Sequence, residues 1–143
     1  MNRNPVISRL LLTLAAAIFL LGALMHAIAF TKASSLLGAS TLKTFFSGEL
    51  RALWLADSTT LLGLALVFAL IAARPTWASR PLILASSWIP AATTALLYVF
   101  LGPFYAAHML LAATLMVIVS GLLLPQSASH MAQPMQLDAQ ADA

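Results

Sequence analysis

Four apolar runs, set apart by polar or proline-marked breaks, dominate the chain: residues 6–30, 50–73, 82–101 and 104–124. Each reaches the roughly 20 residues that a helix needs to cross about 30 Å of hydrocarbon. The first run holds no acid and is interrupted only by Ser8, Arg9, Thr13 and His26. Before the second, Ser47 suits a helix N-cap and Glu49 a first turn, where the helix dipole favours negative charge. Arg74-Pro75 ends that run, because the residue before proline is pushed out of the α region. Pro81 fits the first turn of a third helix. Pro90, near its middle, leaves the Ser86 carbonyl without its usual donor. The spacing therefore predicts a kink, compensated by Ser86, Ser87, Thr93 or a neighbouring helix. Gly102-Pro103 is a tight break and Pro125 stops the fourth run.

The segments between are less apolar. Residues 31–47 mix Lys32, Ser34, Ser35 and Lys43 with Leu42, Phe45 and Phe46, too polar to span. The i, i+3, i+4 spacing of the last three fits a short interfacial helix as well as a loop lying against headgroups. Residues 126–143 read as a mobile polar tail beyond a single transmembrane unit, 1–125. Arg3 and Arg9, with Ala27-Ile28-Ala29, also fit a signal peptide cleaved after residue 29. The apolar run, however, exceeds the roughly 7–15 residues of an h-region, which favours retention as a first helix. The expected fold is all-α: an integral membrane four-helix bundle, up-down-up-down, with both termini on one side. Arg3, Arg9, Arg74 and Arg80 fall on that side, and Lys32, Lys43 and Arg51 on the other. This four-to-three bias favours a cytoplasmic N-terminus.

Composition narrows the classes. The chain of 143 residues is 62% hydrophobic and 8% charged, against about 25% charged in soluble domains. Seven basic and four acidic residues form no cluster able to follow a phosphate backbone, which argues against nucleic-acid partners. The absence of cysteine excludes disulfides, thiolate metal sites and cysteine nucleophiles.

The depth of the remaining polar groups carries the functional signal. His26 lies about one turn before the end of the first helix, Asp57 about two turns into the second, and His108 about one turn into the fourth. Antiparallel threading brings all three to the same outer half of the bilayer, joined by Tyr98 and Tyr105. Glu49, Arg51 and Trp54 lie at the rim, with Glu49 and Arg51 expected as a solvated pair. Trp54 and Asp57 share a helix face, as do Tyr105 and His108. Gly22, one turn from His26, leaves room for either a ligand or a packed helix. An acid inside a spanning helix marks a functional site unless it is neutralised structurally, here by Arg51, His26 or His108. Trp54, Tyr98 and Tyr105 also suit an aromatic belt.

The stretch Gly48-Glu49-Leu50-Arg51-Ala52-Leu53-Trp54 opens a Leu/Gly/Ala-rich second helix that ends at Arg74-Pro75. It resembles small bacterial four-helix membrane proteins and is distantly similar to the DoxX-like group, over the first two helices. The resemblance implies a multi-pass protein of the bacterial inner membrane and transfers no catalytic residue.

Three versions of a site follow. In the first, Asp57 with His26 and His108 binds, and converts by acid–base chemistry, a lipophilic small molecule admitted past Trp54, Tyr105, Tyr98, Glu49 and Arg51. In the second, the two imidazoles and the carboxylate hold a metal such as zinc or iron. In the third, His26 and His108 are axial ligands of a haem. No cofactor is named by any local motif. A different class, a non-catalytic subunit or assembly factor docked on a larger membrane complex or on its own copies, fits the same spans.

Overall fold

The computed structural model describes residues 5–124; Arg3, Pro125 and the expected tail lie outside them. Helix α1 (Pro5–Gly38) is 34 residues long and α2 (Thr44–Ala73) is 30. At about 1.5 Å per residue both outrun a hydrocarbon core of about 30 Å. The segment expected as a loop or interfacial helix is thus mostly an extension of these two, and only residues 39–43 connect them. Lys43, not Ser47, occupies the N-cap of α2, and Ser47 sits inside the helix, donating to the Thr44 carbonyl. The reason is that the helix starts a turn earlier, where Thr44, Phe45 and Phe46 already continue its backbone ladder.

A single-turn 3₁₀ segment, Pro75–Trp77, follows α2, and the Arg74 guanidinium lies 4.8 Å from the Trp77 ring centre. Ser79 then caps α3 (Arg80–Ser86), its hydroxyl accepting from the Leu82 amide with Pro81 in the first turn. The break between α3 and α4 (Trp88–Leu101) falls at Ser87, one turn before Pro90. Ser87 donates its hydroxyl to the Leu84 carbonyl, and its amide still reaches Ile83. The kink is therefore where the missing proline donor requires it. Gly102, with φ at +76°, closes α4 by donating to the Tyr98 carbonyl, a left-handed cap that glycine adopts without strain. Helix α5 (Tyr105–Leu123) completes the described chain. With α3 and α4 taken together, four helices are long and apolar enough to cross a membrane.

The side chains that hold α1 to α2 recur every seven residues. On α1 the rows are Ala15, Gly22 and Leu12, Phe19, His26; on α2 they are Trp54, Leu61, Phe68 and Ser58, Ala65, Ala72. Such a repeat keeps one seam facing the partner along the whole length of two helices. Phe19 and Phe68, both fully buried, stack at 5.7 Å at its centre. An added Cβ at Gly22 would meet Leu61 at 3.5 Å, so the space beside His26 takes a packed helix. Two arginines close the seam reciprocally. Arg9 Nε of α1 donates to the Ala72 carbonyl near the end of α2, at 2.9 Å. Arg51 Nη2 of α2 donates to the Ser34 carbonyl near the end of α1, at 3.0 Å. Arg9 satisfies a carbonyl that the C-terminus of α2 leaves orphaned, and Arg51 adds a donor to a carbonyl just before the last turn of α1.

Helix α5 packs on the other side of α1. The two approach closely through fully buried serines, with Ser8 Oγ and Ser120 Oγ 2.8 Å apart and each hydroxyl donating to the other residue's carbonyl. Farther out, α5 carries α3 and α4. Among the described residues, α2 touches α1 and the 3₁₀ turn but neither α4 nor α5. The order across the molecule is α2, α1, α5, then α3 and α4. This open order decides which polar groups can meet.

Candidate functional site

The polar residues expected to share a site separate into two interhelical seams. In the α1–α2 seam, His26 extends the row begun by Leu12 and Phe19, and Trp54 extends the row of Phe68 and Leu61. Their rings stack at 4.6 Å, with 22° between planes. Trp54 Nε1 also donates to the His26 carbonyl at 2.8 Å, fixing the indole over the imidazole. His26 Nδ1 faces Asp57 Oδ2 at 3.4 Å and Ser58 Oγ at 3.5 Å. Ser58 donates its hydroxyl proton to the Trp54 carbonyl at 3.0 Å, so its oxygen is left to accept. A carboxylate and an accepting hydroxyl at the same nitrogen favour the tautomer with the proton on Nδ1. Nε2 then carries the basic lone pair, and it has no hydrogen-bond partner among the described residues.

Access matters as much as pairing. The His26 and Asp57 side chains are 34% and 38% exposed, so the pair is reachable from outside instead of sealed in the core. Of the three partners weighed for Asp57, the geometry selects His26. Arg51 is engaged with Ser34, packed near Gly38, and its Nε is buried without a partner. Glu49 is exposed and makes no ion pair with Arg51 among the described residues. The expected solvated Glu49–Arg51 pair is thus replaced by a helix-end contact, since Ser34 remains helical and presents its carbonyl there.

The second seam joins α4 to α5. Tyr98 and His108 are hydrogen-bonded through the phenol and Nδ1 at 2.5 Å, with ring centres 5.6 Å apart. His108 is exposed, and Tyr105, at 77% exposure, stands clear of both. His108 therefore does not join Asp57. The cause is the open helix order, in which α2 and α5 never meet.

This division bears on the metal and haem versions. Among the described residues no three His, Asp or Glu side chains gather as a metal site. His26 and Asp57 supply two ligands, and the third named for the set, His108, belongs to the other seam. A haem iron held by both His26 and His108 would have to bridge the two seams, although Nε2 of each imidazole has no hydrogen-bond partner among the described residues.

Ser58 belongs to the first cluster and escaped the sequence reading, as did the seven-residue rows. The signal was present: Ser58, Ala65, Ala72 and Ala15, Gly22 place small residues at that interval on both partners. Comparison with family models, with curated proteins and with solved structures finds no match to this chain.

Proposed function

We propose that this is a multi-pass inner-membrane protein whose His26–Asp57 pair binds a lipophilic small molecule and exchanges a proton with it. One observation carries the reading: Asp57 and Ser58 occupy Nδ1 of His26, while Nε2 is left without a partner among the described residues on a partly exposed side chain. A carboxylate that holds one ring nitrogen orients the other as base or acid toward a bound O–H or N–H. The roles are then the reverse of the simplest expectation, with His26 handling the proton and Asp57 orienting it. Trp54 backs the imidazole as a rigid wall. Up-down-up-down threading, with both termini on the cytoplasmic side, places the pair toward the outer face. The relation to the DoxX-like group belongs to the same proposal and rests on residues 48–75.

Native mass spectrometry of the detergent-purified chain tests this. Small lipophilic molecules that co-purify with the wild type should be lost from His26→Ala and Asp57→Asn, with yield, helicity and monodispersity preserved. Equal loss of folded protein in both variants would make the pair a structural one.

A second reading has its own observation. Helix α2 packs on α1 and leaves Leu55, Leu62 and Leu66 exposed along one face. A docked subunit of a larger membrane complex would use that face, and mild solubilisation would then recover a stoichiometric partner.

A further inference from the structure

An open groove of about 560 Å³ lies in the α1–α2 pair, at the end opposite His26 and Asp57. It is walled by small side chains, among them Ala17 of α1 and Ala69 and Ala73 of α2. Arg9 and Thr13 stand at one end, and Leu20 and Leu62 at the other. From Arg9 to Leu20, and from Ala73 to Leu62, each wall covers about eleven residues, or about 16 Å of helix rise. That is close to half of a hydrocarbon core of about 30 Å, so the groove is one leaflet deep.

Its polar end is built for an anion. Arg9 Nε is spent on the Ala72 carbonyl, which fixes the guanidinium plane, while both Nη groups have no partner among the described residues. Arg74 adjoins Ala73 at the groove end. Arg80 opens α3, whose Ile83 and Leu84 face Gly121 of α5, at the end where Ser120 meets Ser8. The two described acids, Glu49 and Asp57, are both toward the opposite end of α2.

We infer that this groove holds one acyl chain of an anionic glycerophospholipid, with its phosphate on the Arg9 guanidinium. A planar arginine whose Nη1–Nη2 edge is free matches a phosphate bidentately. The alanine walls admit a straight chain, and the length of one leaflet brings its end to the bilayer midplane. The site is independent of the His26–Asp57 pair and stands or falls without it.

The test uses the full chain in a non-ionic detergent. It is offered phosphatidylglycerol and phosphatidylcholine with matched acyl chains, and retained lipid is counted by native mass spectrometry. The wild type should keep phosphatidylglycerol in preference. Arg9→Gln should lose about fivefold of that preference, the weight of one arginine near an anionic surface, while still binding phosphatidylcholine. Ala69→Phe fills the groove from an exposed position, outside the buried seam, and should lose both lipids with helicity unchanged. Wild-type lipid retention by Ala69→Phe overturns the inference, even if Arg9→Gln fails to fold. So does displacement of the lipid by inorganic phosphate alone, which would make the site one for a free anion. A dimer seen in the wild type and abolished by Ala69→Phe would give the groove to a second copy of the chain.

Discussion

The two imidazole seams lie toward the same end of the bundle and differ in nearly everything else. His26 is wedged between two long helices, stacked by an indole that is itself hydrogen-bonded to the His26 backbone, and faced by a carboxylate and a hydroxyl. His108 sits exposed on the first turns of α5 and shares one hydrogen bond with Tyr98, just across the Gly102 turn. Position along the bundle is therefore a weak guide to role. What distinguishes the two is whether the histidine continues a packing row or lies beside it.

Removing the indole should break this contrast most severely. In tightly packed cores Trp→Ala costs about 3–5 kcal/mol. Trp54 is half-buried, so Trp54→Ala should cost about 2 kcal/mol, through lost contact with His26 and the lost N–H bond. His108→Ala should stay within about 0.5 kcal/mol, as exposed substitutions do. Equilibrium unfolding in bicelles compares them directly, and equal losses would erase the distinction between the seams.

The next effect tests how tightly each flank of the molecule is packed. A Cβ at Gly121 would lie 2.9 Å from Leu84 Cδ2 and 3.2 Å from Ile83 Cγ2, and Ile83 is fully buried. Gly121→Ala should therefore cost about 1–2 kcal/mol through overpacking. Gly22→Ala meets only Leu61, at ordinary contact distance, and should be neutral or gain up to about 1 kcal/mol of helix propensity. Thermal melts of the two variants in detergent should move in opposite directions or differ clearly in size.

How much of this was legible follows from what lipid does to sequence patterns. The four spans could be read because hydropathy is summed over about 20 residues and no local ambiguity survives the sum. The kink at Ser87 and the Gly102 turn could be read because proline and glycine act through covalent geometry. The inward faces could not be read from hydrophobicity, since Leu20 and Phe19 are equally at home against lipid or a helix. Only the interval of small residues marked the seam, and it is diluted by alanines elsewhere, such as Ala17 and Ala69, which are exposed. The position of His26, Asp57 and His108 along their helices was likewise legible, whereas their angular position around the helix row was not. The polar stretches 31–38 and 44–49 hid two helix extensions, because Arg51 and Ser34 tie them together by a long-range bond that no local window contains.

A double-mutant cycle sharpens the same comparison at a smaller scale. His26→Ala and Asp57→Asn, alone and together, should show a coupling of about 0.5–1 kcal/mol. Their 3.4 Å contact is long and both side chains are more than a third exposed, which places the pair near the surface range. His108→Ala with Asp57→Asn should show coupling within error, since they share no partner. Measurable coupling there would mean that the seams communicate through α1 and α5.

The smallest expected effect is the most discriminating about His108. Tyr98→Phe removes a short hydrogen bond, and its shortness alone would suggest a large penalty. Exposure argues otherwise: when the phenol oxygen is deleted, water or a headgroup can take over Nδ1, so the net loss is one exchangeable bond. The change should cost less than about 0.5 kcal/mol, below the roughly 0.6 kcal/mol average for bonds between membrane helices. Ligand retention at His26 should also be untouched. If Tyr98→Phe instead releases the molecules that His26→Ala releases, then the α4–α5 seam contributes to the same site, and the open helix order must close when a ligand is bound.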